Sequence, residues 1–536
     1  MRSSYSNDRN PRRLPAVGQT WMSSPKPDIV FFMVDQLSAK WLEAASNGIV
    51  ATPGLDRLRA AGTTFTNCIS SNPLCCPTRA TLATGLTTRG HGVLQNGYAL
   101  DPELPTFMRS LQDAGWRTVA LGKLHLRPHY ETIHPDYLPY GFDVQHNTED
   151  DRGGEWLDWV RAEHPEHRDA VYSTVWSRDI PGFANYGPTA ENLRAELEEV
   201  PAINGTYELP FPEELSQTNW ITGHALDFIR GQAPAQPIYA HVSYVQPHGP
   251  FAPPAGYRQF VDAEAIPAPI PPEWPGDPLA PHCLEGRGCA QTPSDWRKDR
   301  EHYFADIRHL DRQLGLLLDT LEQTGRRDNT YVIMLADHGE LLHDHGLTGK
   351  GEFHYDACIR VPLVIAGPGI NAGQSRDELV QLEDIFPTIF EMAGLSLPKP
   401  KVIYGAGPPA GGVGGPTGHT EYPYAPGRSL LGLCRGEASD HWRDCAYVES
   451  YNNINSATTA NWARSIRTTR WRYTMYPDNT GEQLFDLVDD SDETRNLAAD
   501  PDHRQIRLEL RDRLLDLIIH QDYPHSPRSR FAFGVH

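Results

Sequence analysis

The sequence predicts an α/β protein, with one large sheet covered by helices and a smaller α+β subdomain at the C-terminal end. Short apolar runs rich in β-branched and aromatic residues alternate with helical segments over about the first 400 residues, which is typical of a sheet with helical connections. The later part instead predicts a few antiparallel strands and a final helix. A chain of 536 residues is long enough to bury one large core and a second, smaller one.

The predicted strands of the large sheet are short and nearly continuously apolar, as buried strands are. They cover 27–35, 116–121, 237–245, 330–336 and 361–366. Predicted helices have Pro or Thr at the start, Gly just past the end, or leucines at helical spacing. They cover 52–62, 105–115, 222–229, 299–324, 383–393 and 504–520, and another is expected to begin at Arg79. Residues 463–475 and 483–488 predict the small antiparallel sheet.

Composition predicts a flexible tail, a main domain and a C-terminal subdomain, over 1–25, 26–430 and 431–536. Two stretches interrupt the main domain, an acidic one at about 145–215 and a proline-rich one at about 252–295. We expect both to be insertions that lie over the core. The Gly- and Pro-rich stretch 398–428 cannot bury a core, so it predicts a mobile loop.

The formal net charge of -21 argues against a general nucleic-acid or anionic-membrane binder, because either polyanion would be repelled. The sequence contains no run of about 18 apolar residues, so it predicts no transmembrane helix. The first 25 residues lack the apolar core of a secretory signal, so we expect a cytoplasmic protein with reduced thiols, Cys283 and Cys289 being the strongest exception. The end of the chain, 523–536, predicts either a frayed terminus or a contact with a second copy in a homo-oligomer.

Four of the predicted strands end in residues that can bind a metal, hold an anion or transfer a proton. These residues are Asp35, Gln36, Lys123, His125, His248, Asp337 and His338. Polar residues at strand ends are also common turn formers when taken singly. Because the carboxyl ends of the strands of an open α/β sheet form the ligand-binding edge, their shared placement predicts one site.

Asp35, Gln36, Asp337 and His338 together offer mostly oxygen ligands and one imidazole. Hard or borderline cations such as Ca²⁺, Mg²⁺ or Mn²⁺ suit that set better than Zn²⁺ does. The sequence therefore predicts one divalent metal at this edge of the sheet.

The stretch 72–85 contains Cys75, Pro77, Thr78 and Arg79 in the order Cys-x-Pro-[Ser/Thr]-Arg, closed by Thr84-Gly85. This pattern resembles the signature of the type I sulfatases, a family of the alkaline phosphatase superfamily. The resemblance implies that Cys75 is converted to formylglycine (3-oxoalanine) by a formylglycine-generating enzyme. Cys76 does not fit the pattern, because Thr78 rather than a proline lies two residues after it.

The resemblance further implies an alkaline-phosphatase-like fold and a role for each matching residue. Arg79 would hydrogen-bond the formylglycine, whose hydrated aldehyde attacks sulfur with help from the metal and Asp337. Lys123 and Lys350 would hold the sulfate. His248, with Lys350 beside it, would meet the departing alcohol. His125 would take the proton of the remaining hydroxyl.

In that family the metal is usually Ca²⁺, bound at the positions of the predicted ligands together with an oxygen of the formylglycine at position 75. This chain departs from the usual pair of adjacent acids by having Gln36 after Asp35, and it has His338 where Asn is frequent. The ligand set therefore has about one negative charge fewer than is usual in the family, so Mn²⁺ and Mg²⁺ remain alternatives to Ca²⁺.

We therefore predict an arylsulfatase-like hydrolase of a small-molecule or carbohydrate sulfate monoester. The alternative is a phosphonate monoester or phosphodiester hydrolase of the same superfamily: Lys123 with His125 favours the sulfatase, and Gln36 favours the alternative. Two further alternatives are a sulfate-ester-binding relative with unconverted Cys75 and a thiol enzyme that uses Cys75 as it is, although no Cys/His/Asn arrangement supports the latter.

Overall fold

The computed structural model describes residues 25–128, 131–175, 182–183, 205–274, 276–277, 295–398, 426–438, 440–451, 462–477 and 481–521. Within these residues the main domain contains a nine-stranded sheet with the order β4-β3-β5-β1-β6-β7-β2-β8, and β9 also pairs with β2. The strands are β1 Asp28–Val34, β2 Gly62–Ile69, β3 Arg117–Gly122, β4 Val144–Asn147, β5 Ile238–Tyr244, β6 Thr330–Ala336, β7 Arg360–Ala366, β8 Gln374–Arg376 and β9 Val380–Gln381.

Strand β1 lies at the centre of the sheet and pairs in parallel with β5 on one side and β6 on the other. All seven of its residues are buried, which explains why the strand is a continuous apolar run. Strand β7 alone runs opposite to its neighbours. The carboxyl ends of β1, β2, β3, β5 and β6 therefore lie at the same edge of the sheet.

Helices cover the sheet. The helices of the main domain are α1 Ala39–Ala44, α2 Pro53–Ala60, α3 Cys75–Thr84, α4 Thr88–His91, α5 Phe107–Asp113, α6 Glu155–Glu163, α7 Arg168–Tyr172, α8 Gln217–Gly231, α9 Asp295–Gln323, α10 Asp356–Ile359, α11 Ile385–Met392 and α12 Leu431–Cys434. The long helix α9 packs between α2 and α8 and buries the leucines whose spacing predicted it, including Leu310, Leu314 and Leu321. No helix in the described residues is long and apolar enough to cross a bilayer.

The C-terminal subdomain has a four-stranded antiparallel sheet in chain order, with one helix packed on it. Its elements are β10 Cys445–Ser450, β11 Ala463–Thr468, β12 Trp471–Met475, β13 Glu482–Asp486 and α13 Arg504–Gln521. Leu510 and Leu514 of α13 bury against Ile466 and Tyr473 of the sheet. The small sheet is also hydrogen-bonded to the main domain, because the two ring nitrogens of His354 bond to Ser465 of β11 and Ser450 of β10.

The predicted fold class is confirmed, and most predicted elements lie within a few residues of the observed ones. Five of the described strands were missed, β2, β4, β8, β9 and β10, and one prediction is wrong in part. Strand β4 belongs to the large sheet, where it pairs with β3, although the stretch from about 145 was predicted to be an insertion. Strand β2 was missed because threonines and an asparagine interrupt its apolar pattern. Helix α3 begins at Cys75 rather than at Arg79.

Other predictions lie outside the described residues. They concern the tail over 1–24, the cysteines Cys283 and Cys289, the loop over 399–425 and the terminal segment 523–536. The cysteines that the structure describes are free thiols.

Candidate active site

The residues predicted from the strand ends do converge at one edge of the sheet. Asp35 and Gln36 follow β1, Lys123 to His125 follow β3, and Asp337 and His338 follow β6. Cys75 reaches the same place from β2, because five residues after that strand lead into the first turn of α3. All of these side chains are buried. The expected convergence is therefore confirmed, and the missed strand β2 is what carries Cys75 there.

Cys75 is fully buried and lies among cationic groups. Lys350 Nζ donates to its Sγ at 2.9 Å, and His338 Nε2 lies 3.2 Å from it. Burial and the charge of Asp35 raise the pKa of the thiol, but Lys123, Lys350 and His338 outweigh them and bring the pKa down to about 7. The site therefore stabilises negative charge on the side-chain atom at position 75.

Arg79, one turn along α3 from Cys75, fixes two carboxylates at once. Its Nε donates to Asp337 Oδ2 at 2.9 Å, and its Nη2 donates to Asp35 Oδ2 at 3.1 Å. Its Nη1 also donates to the carbonyl oxygen of Lys123 and to Ser243 Oγ. The guanidinium thus ties together four strand ends, and it leaves the Oδ1 atoms of both aspartates turned away from it.

Lys123 is buried between two carboxylates, Asp35 and Asp150, and its Nζ contacts an oxygen of each. Burial lowers the pKa of Lys123, but Asp150 and Asp35 raise it well above its usual value, so the group stays charged. His125 Nδ1 lies 3.7 Å from the other oxygen of Asp150. Burial and the charge of Lys123 lower the pKa of His125 to about 3, which leaves the ring neutral.

Sequence reasoning missed Asp150 and its neighbour Glu149. Glu149 accepts the backbone N–H groups of Leu124 and His125 at 3.1 Å each and so holds the turn that presents Lys123. Both acids lie directly beyond β4, where the same strand-end rule applied to the other residues would have found them. They were missed because an acidic run usually marks a solvated surface.

The predicted metal ligands meet in a buried cluster that fits a divalent cation. Atoms of Asp35, Cys75, Asp337 and His338 lie within 4.8 Å of one another. The Nδ1 of His338 donates to the carbonyl oxygen of Gly339 at 3.1 Å, which leaves Nε2 as the ring nitrogen that faces the cluster. The Oε1 atom of Gln36 is buried with no hydrogen-bond partner, so it is available as a further oxygen ligand.

Glu340 is a second residue that sequence reasoning missed, although it follows the Asp337-His338 pair closely. One of its oxygens accepts from Gln36 Nε2. The other accepts the backbone N–H groups of Leu342 at 2.8 Å and Gly349 at 2.6 Å. Glu340 therefore fixes the Gln36 amide and closes the loop that ends at Lys350.

Lys350 and His248 complete the set of predicted residues. The loop before Lys350 has three non-glycine residues at positive φ, Leu342, His343 and His345, a conformation that needs support from outside the loop. Asp344 supplies it by pairing with Arg300 and Lys40. His248 is half-buried beyond β5, its Nδ1 bonds to the Gly249 carbonyl at 2.7 Å, and burial together with the charge of Lys350 lowers its pKa.

Comparison with known families adds the decisive observation. The Sulfatase family model matches residues 27–395, which is more than half of the chain. The chain belongs to the sulfatase family. A second family model, "N-sulphoglucosamine sulphohydrolase, C-terminal", matches residues 419–520 of this sulfatase. The resemblance that rested on Cys75 and Arg79 is thereby confirmed, and the protein is a sulfuric ester hydrolase by family.

This sulfatase is similar to curated relatives over nearly its whole length. It is 25% identical over 498 residues to an arylsulfatase of Clostridium perfringens, covering 90% of this chain and 92% of the relative. It is 28% identical over 504 residues to a choline-sulfatase of Rhizobium meliloti, covering 90% and 84%. The phosphonate monoester hydrolase of Agrobacterium radiobacter has the same fold, with a TM-score of 0.72 at 24% identity over 92% of this chain and 96% of that one.

Proposed function

We propose that this sulfatase hydrolyses the sulfate monoester of a small molecule or carbohydrate, using formylglycine made from Cys75 and one divalent cation. The observation that carries the proposal is the position of Cys75 Sγ, 2.9 Å from Lys350 Nζ and 3.2 Å from His338 Nε2, within the cluster that includes both aspartates. A formylglycine-generating enzyme is the partner that this chemistry requires during maturation.

Formylglycine at position 75 would supply a hydrated aldehyde, with one hydroxyl to attack sulfur and a second whose deprotonation ends the cycle. Asp35, Gln36, Asp337 and His338 would hold the cation, which supplies Lewis-acid charge beside that hydroxyl. The oxygen-rich set favours Ca²⁺, with Mn²⁺ and Mg²⁺ as the alternatives.

The remaining residues act on charge and protons. The ammonium groups of Lys123 and Lys350 are fixed before the ester arrives, so they can hold its anionic oxygens with little reorganisation. His248, which is close enough to Lys350 for the lysine charge to lower its pKa, meets the departing alcohol. His125 is neutral, so its ring can act as a proton acceptor, and Asp150 lies 3.7 Å from Nδ1, where its charge would stabilise the protonated ring.

A phosphonate monoester or phosphodiester is the second candidate substrate. Gln36 favours it, and so does the likeness in fold to a phosphonate monoester hydrolase. Both classes of ester carry one negative charge on the transferred group, so the same lysines suit either. Lys123 with His125 is the feature for which we place the sulfate ester first.

Turnover of matched aryl sulfate and aryl phosphonate esters with the same leaving group, on one preparation, tests this choice. We expect the larger kcat/KM for the sulfate, and a strong preference for the phosphonate would overturn the assignment. A Cys75→Ala variant purified in the same way is the control, because residual activity in it would reveal a contaminating hydrolase.

A further inference from the structure

Asp150 is a buried acid at a place where the proposed reaction has to hold an anion. One of its oxygens lies within 4.8 Å of Cys75 Sγ and of a ring nitrogen of His125, and its side chain is 3% exposed. Asp35 and Asp337 belong to the cluster assigned to the cation, whereas Asp150 lies outside that cluster. Its charge therefore acts on a negatively charged ester bound beside Cys75.

The turn that carries Asp150 is fixed by hydrogen bonds. Gln217 of α8 donates through Nε2 to Thr148 Oγ1 at 2.6 Å and to the Glu149 carbonyl oxygen at 3.0 Å. The backbone N–H of Arg152 donates to the same carbonyl oxygen at 3.0 Å. The carboxylate of Asp150 is thus held in place before an ester binds.

Lys123 carries the positive charge that Asp150 offsets. Its Nζ contacts an oxygen of Asp150 and an oxygen of Asp35. An ammonium group has three N–H donors, so one remains for an oxygen of the ester. Two carboxylates on one ammonium leave this trio with one negative charge in excess. Lys123 therefore offers the ester a hydrogen bond but little net positive charge.

The charge of Asp150 also reaches the other basic side chains assigned to the ester. Burial lowers the pKa of Lys123, His125, His248 and Lys350, and the charge of Asp150 acts in the opposite direction on the pKa of each. A carboxylate that stabilises positive charge on these four groups destabilises negative charge on a molecule bound among them.

We propose that Asp150 is a specificity-determining residue, which makes the site select esters whose transferred group carries one negative charge over phosphate monoesters, which carry two. Asp150 would repel the second charge in a buried site, where screening by water is weak. The same repulsion weakens the binding of inorganic sulfate, the doubly charged product, and so favours its release. The inference rests on the proposed function for the position of the ester beside Cys75, and it holds equally for a sulfate ester and a phosphonate monoester.

Two anions of similar shape and different charge test the proposal without any substitution. Inorganic sulfate is a dianion, and methanesulfonate is a monoanion with the same tetrahedral sulfur. Their competitive inhibition constants are measured on the active protein, against whichever aryl ester it turns over faster. We expect methanesulfonate to inhibit at least as strongly as sulfate. Inhibition by sulfate that is more than roughly 10-fold stronger would overturn the proposal.

Asp150→Asn removes the charge and keeps the size of the side chain. It should strengthen inhibition by sulfate relative to methanesulfonate by roughly 10-fold or more. At about pH 8, where a phosphate monoester is doubly charged, it should also raise kcat/KM for an aryl phosphate relative to the aryl sulfate by a similar factor. A purely structural role for Asp150 would affect both anions and both esters together. An unchanged ratio in the folded variant would overturn the proposal.

Asp151→Asn is the matched control, because Asp151 lies in the same turn and is as deeply buried as Asp150. Its Oδ1 accepts from the Gly153 N–H at 2.9 Å rather than contacting Lys123. The ratio of the two inhibition constants should therefore stay at the parent value. A change as large as in Asp150→Asn would assign the effect to the turn and overturn the proposal.

Calorimetric titration of both anions into the parent protein and into Asp150→Asn separates this proposal from the proposed function. Binding needs no turnover, so a protein that hydrolysed neither ester would overturn the proposed function while calorimetry still decided the charge preference. Conversely, a confirmed sulfatase in which Asp150→Asn left the ratio of the two affinities unchanged would keep its function and lose this role for Asp150.

Discussion

Two clusters of buried charge differ in how their carboxylates are used. Where the C-terminal sheet meets the main domain, Glu493 accepts from Arg472 through one oxygen and from the Asp356 N–H at 2.7 Å through the other. Asp356 likewise uses both oxygens on Arg467, at 3.2 and 2.9 Å. In the active site, Oδ2 of Asp35 accepts from Arg79 and contacts Lys123. Its Oδ1 lies at distances of 3.7–3.9 Å from Cys75 Sγ, His338 Nε2 and Lys350 Nζ.

The difference separates charges that hold the fold from charges that are kept for a ligand. A buried acid whose two oxygens are both in short hydrogen bonds is held by its protein partners at both oxygens. A buried acid with one oxygen held and the other unused is oriented but available, which is what a metal ligand requires. An isosteric substitution that removes a charge should therefore lower activity when made in the active site, and lower the free energy of unfolding when made in the other cluster.

Asp35→Asn should have the largest effect, and the effect should be on activity. We expect kcat/KM to fall by roughly 10³-fold, because the variant loses a candidate metal ligand and the counter-charge that fixes Lys123. Kinetics and bound-metal analysis on the same sample measure this. Asp28→Asn is the matched control at the other end of β1, where Asp28 pairs with Arg326 at 2.9 Å far from Cys75. Equal activity losses in the two variants would contradict the comparison.

Glu493→Gln should show the reverse behaviour. Arg472, whose side chain is 0% exposed, would be left without its carboxylate partner. Breaking a buried ion pair from one side costs about 3 kcal/mol or more in the free energy of unfolding. Denaturant unfolding measures the loss, and kcat of the folded protein should stay close to that of the parent. A stable variant with impaired turnover would show that this cluster serves the reaction as well.

Glu340→Gln tests the contact that orients Gln36. Its carboxylate accepts from Nε2 of the Gln36 amide and so fixes the side chain of a candidate metal ligand, so we expect a roughly 10–100-fold loss of metal affinity. Calorimetric metal titration measures this, and activity should recover at saturating metal. Glu273→Gln is the control, because Glu273 supports the same loop through His345 at 2.8 Å. Loss of affinity in both variants would assign the effect to the loop rather than to Gln36.

Asp151 lies beside the active site and is a buried carboxyl with a raised pKa. Replacing it should have the smallest effect of the four substitutions, a change in how the free energy of unfolding depends on pH. Burial raises the pKa of Asp151 from 3.8 to about 8, with the charges of Glu149 and Asp150 adding to the rise. The unfolded chain loses this proton first as pH rises, so the free energy of unfolding should fall between about pH 4 and pH 8. Asp151→Asn should flatten that fall in urea titrations, and an unchanged slope would show that Asp151 is ionised in the folded protein.

Much of the fold and most of the candidate site were predictable because strands buried on both faces are continuous apolar runs. Strands β1, β3, β5 and β6 have that property, and their ends located Asp35, Lys123, His248 and Asp337. Strand β2 lies near the edge and alternates threonine with apolar residues, so its pattern is weak, although the motif after it is strong.

The rest depends on partners distant in sequence. Asp150 is buried and pairs with Lys123, whereas composition alone makes 149–151 look like a solvated acidic run. Glu340 bonds to Gln36 across 304 positions, a contact that no local spacing encodes. Residues that touch the expected ligand were found from motifs, whereas residues that orient them required the structure.

The central claim is that residue 75 of the active protein is an aldehyde, and peptide mass spectrometry across α3 tests it most directly. Protein from its native host, active on an aryl sulfate, should yield a 75-containing peptide with the mass of formylglycine or its hydrate, while Cys76 remains a thiol. Active protein that yields only the unmodified Cys75 thiol would contradict the account.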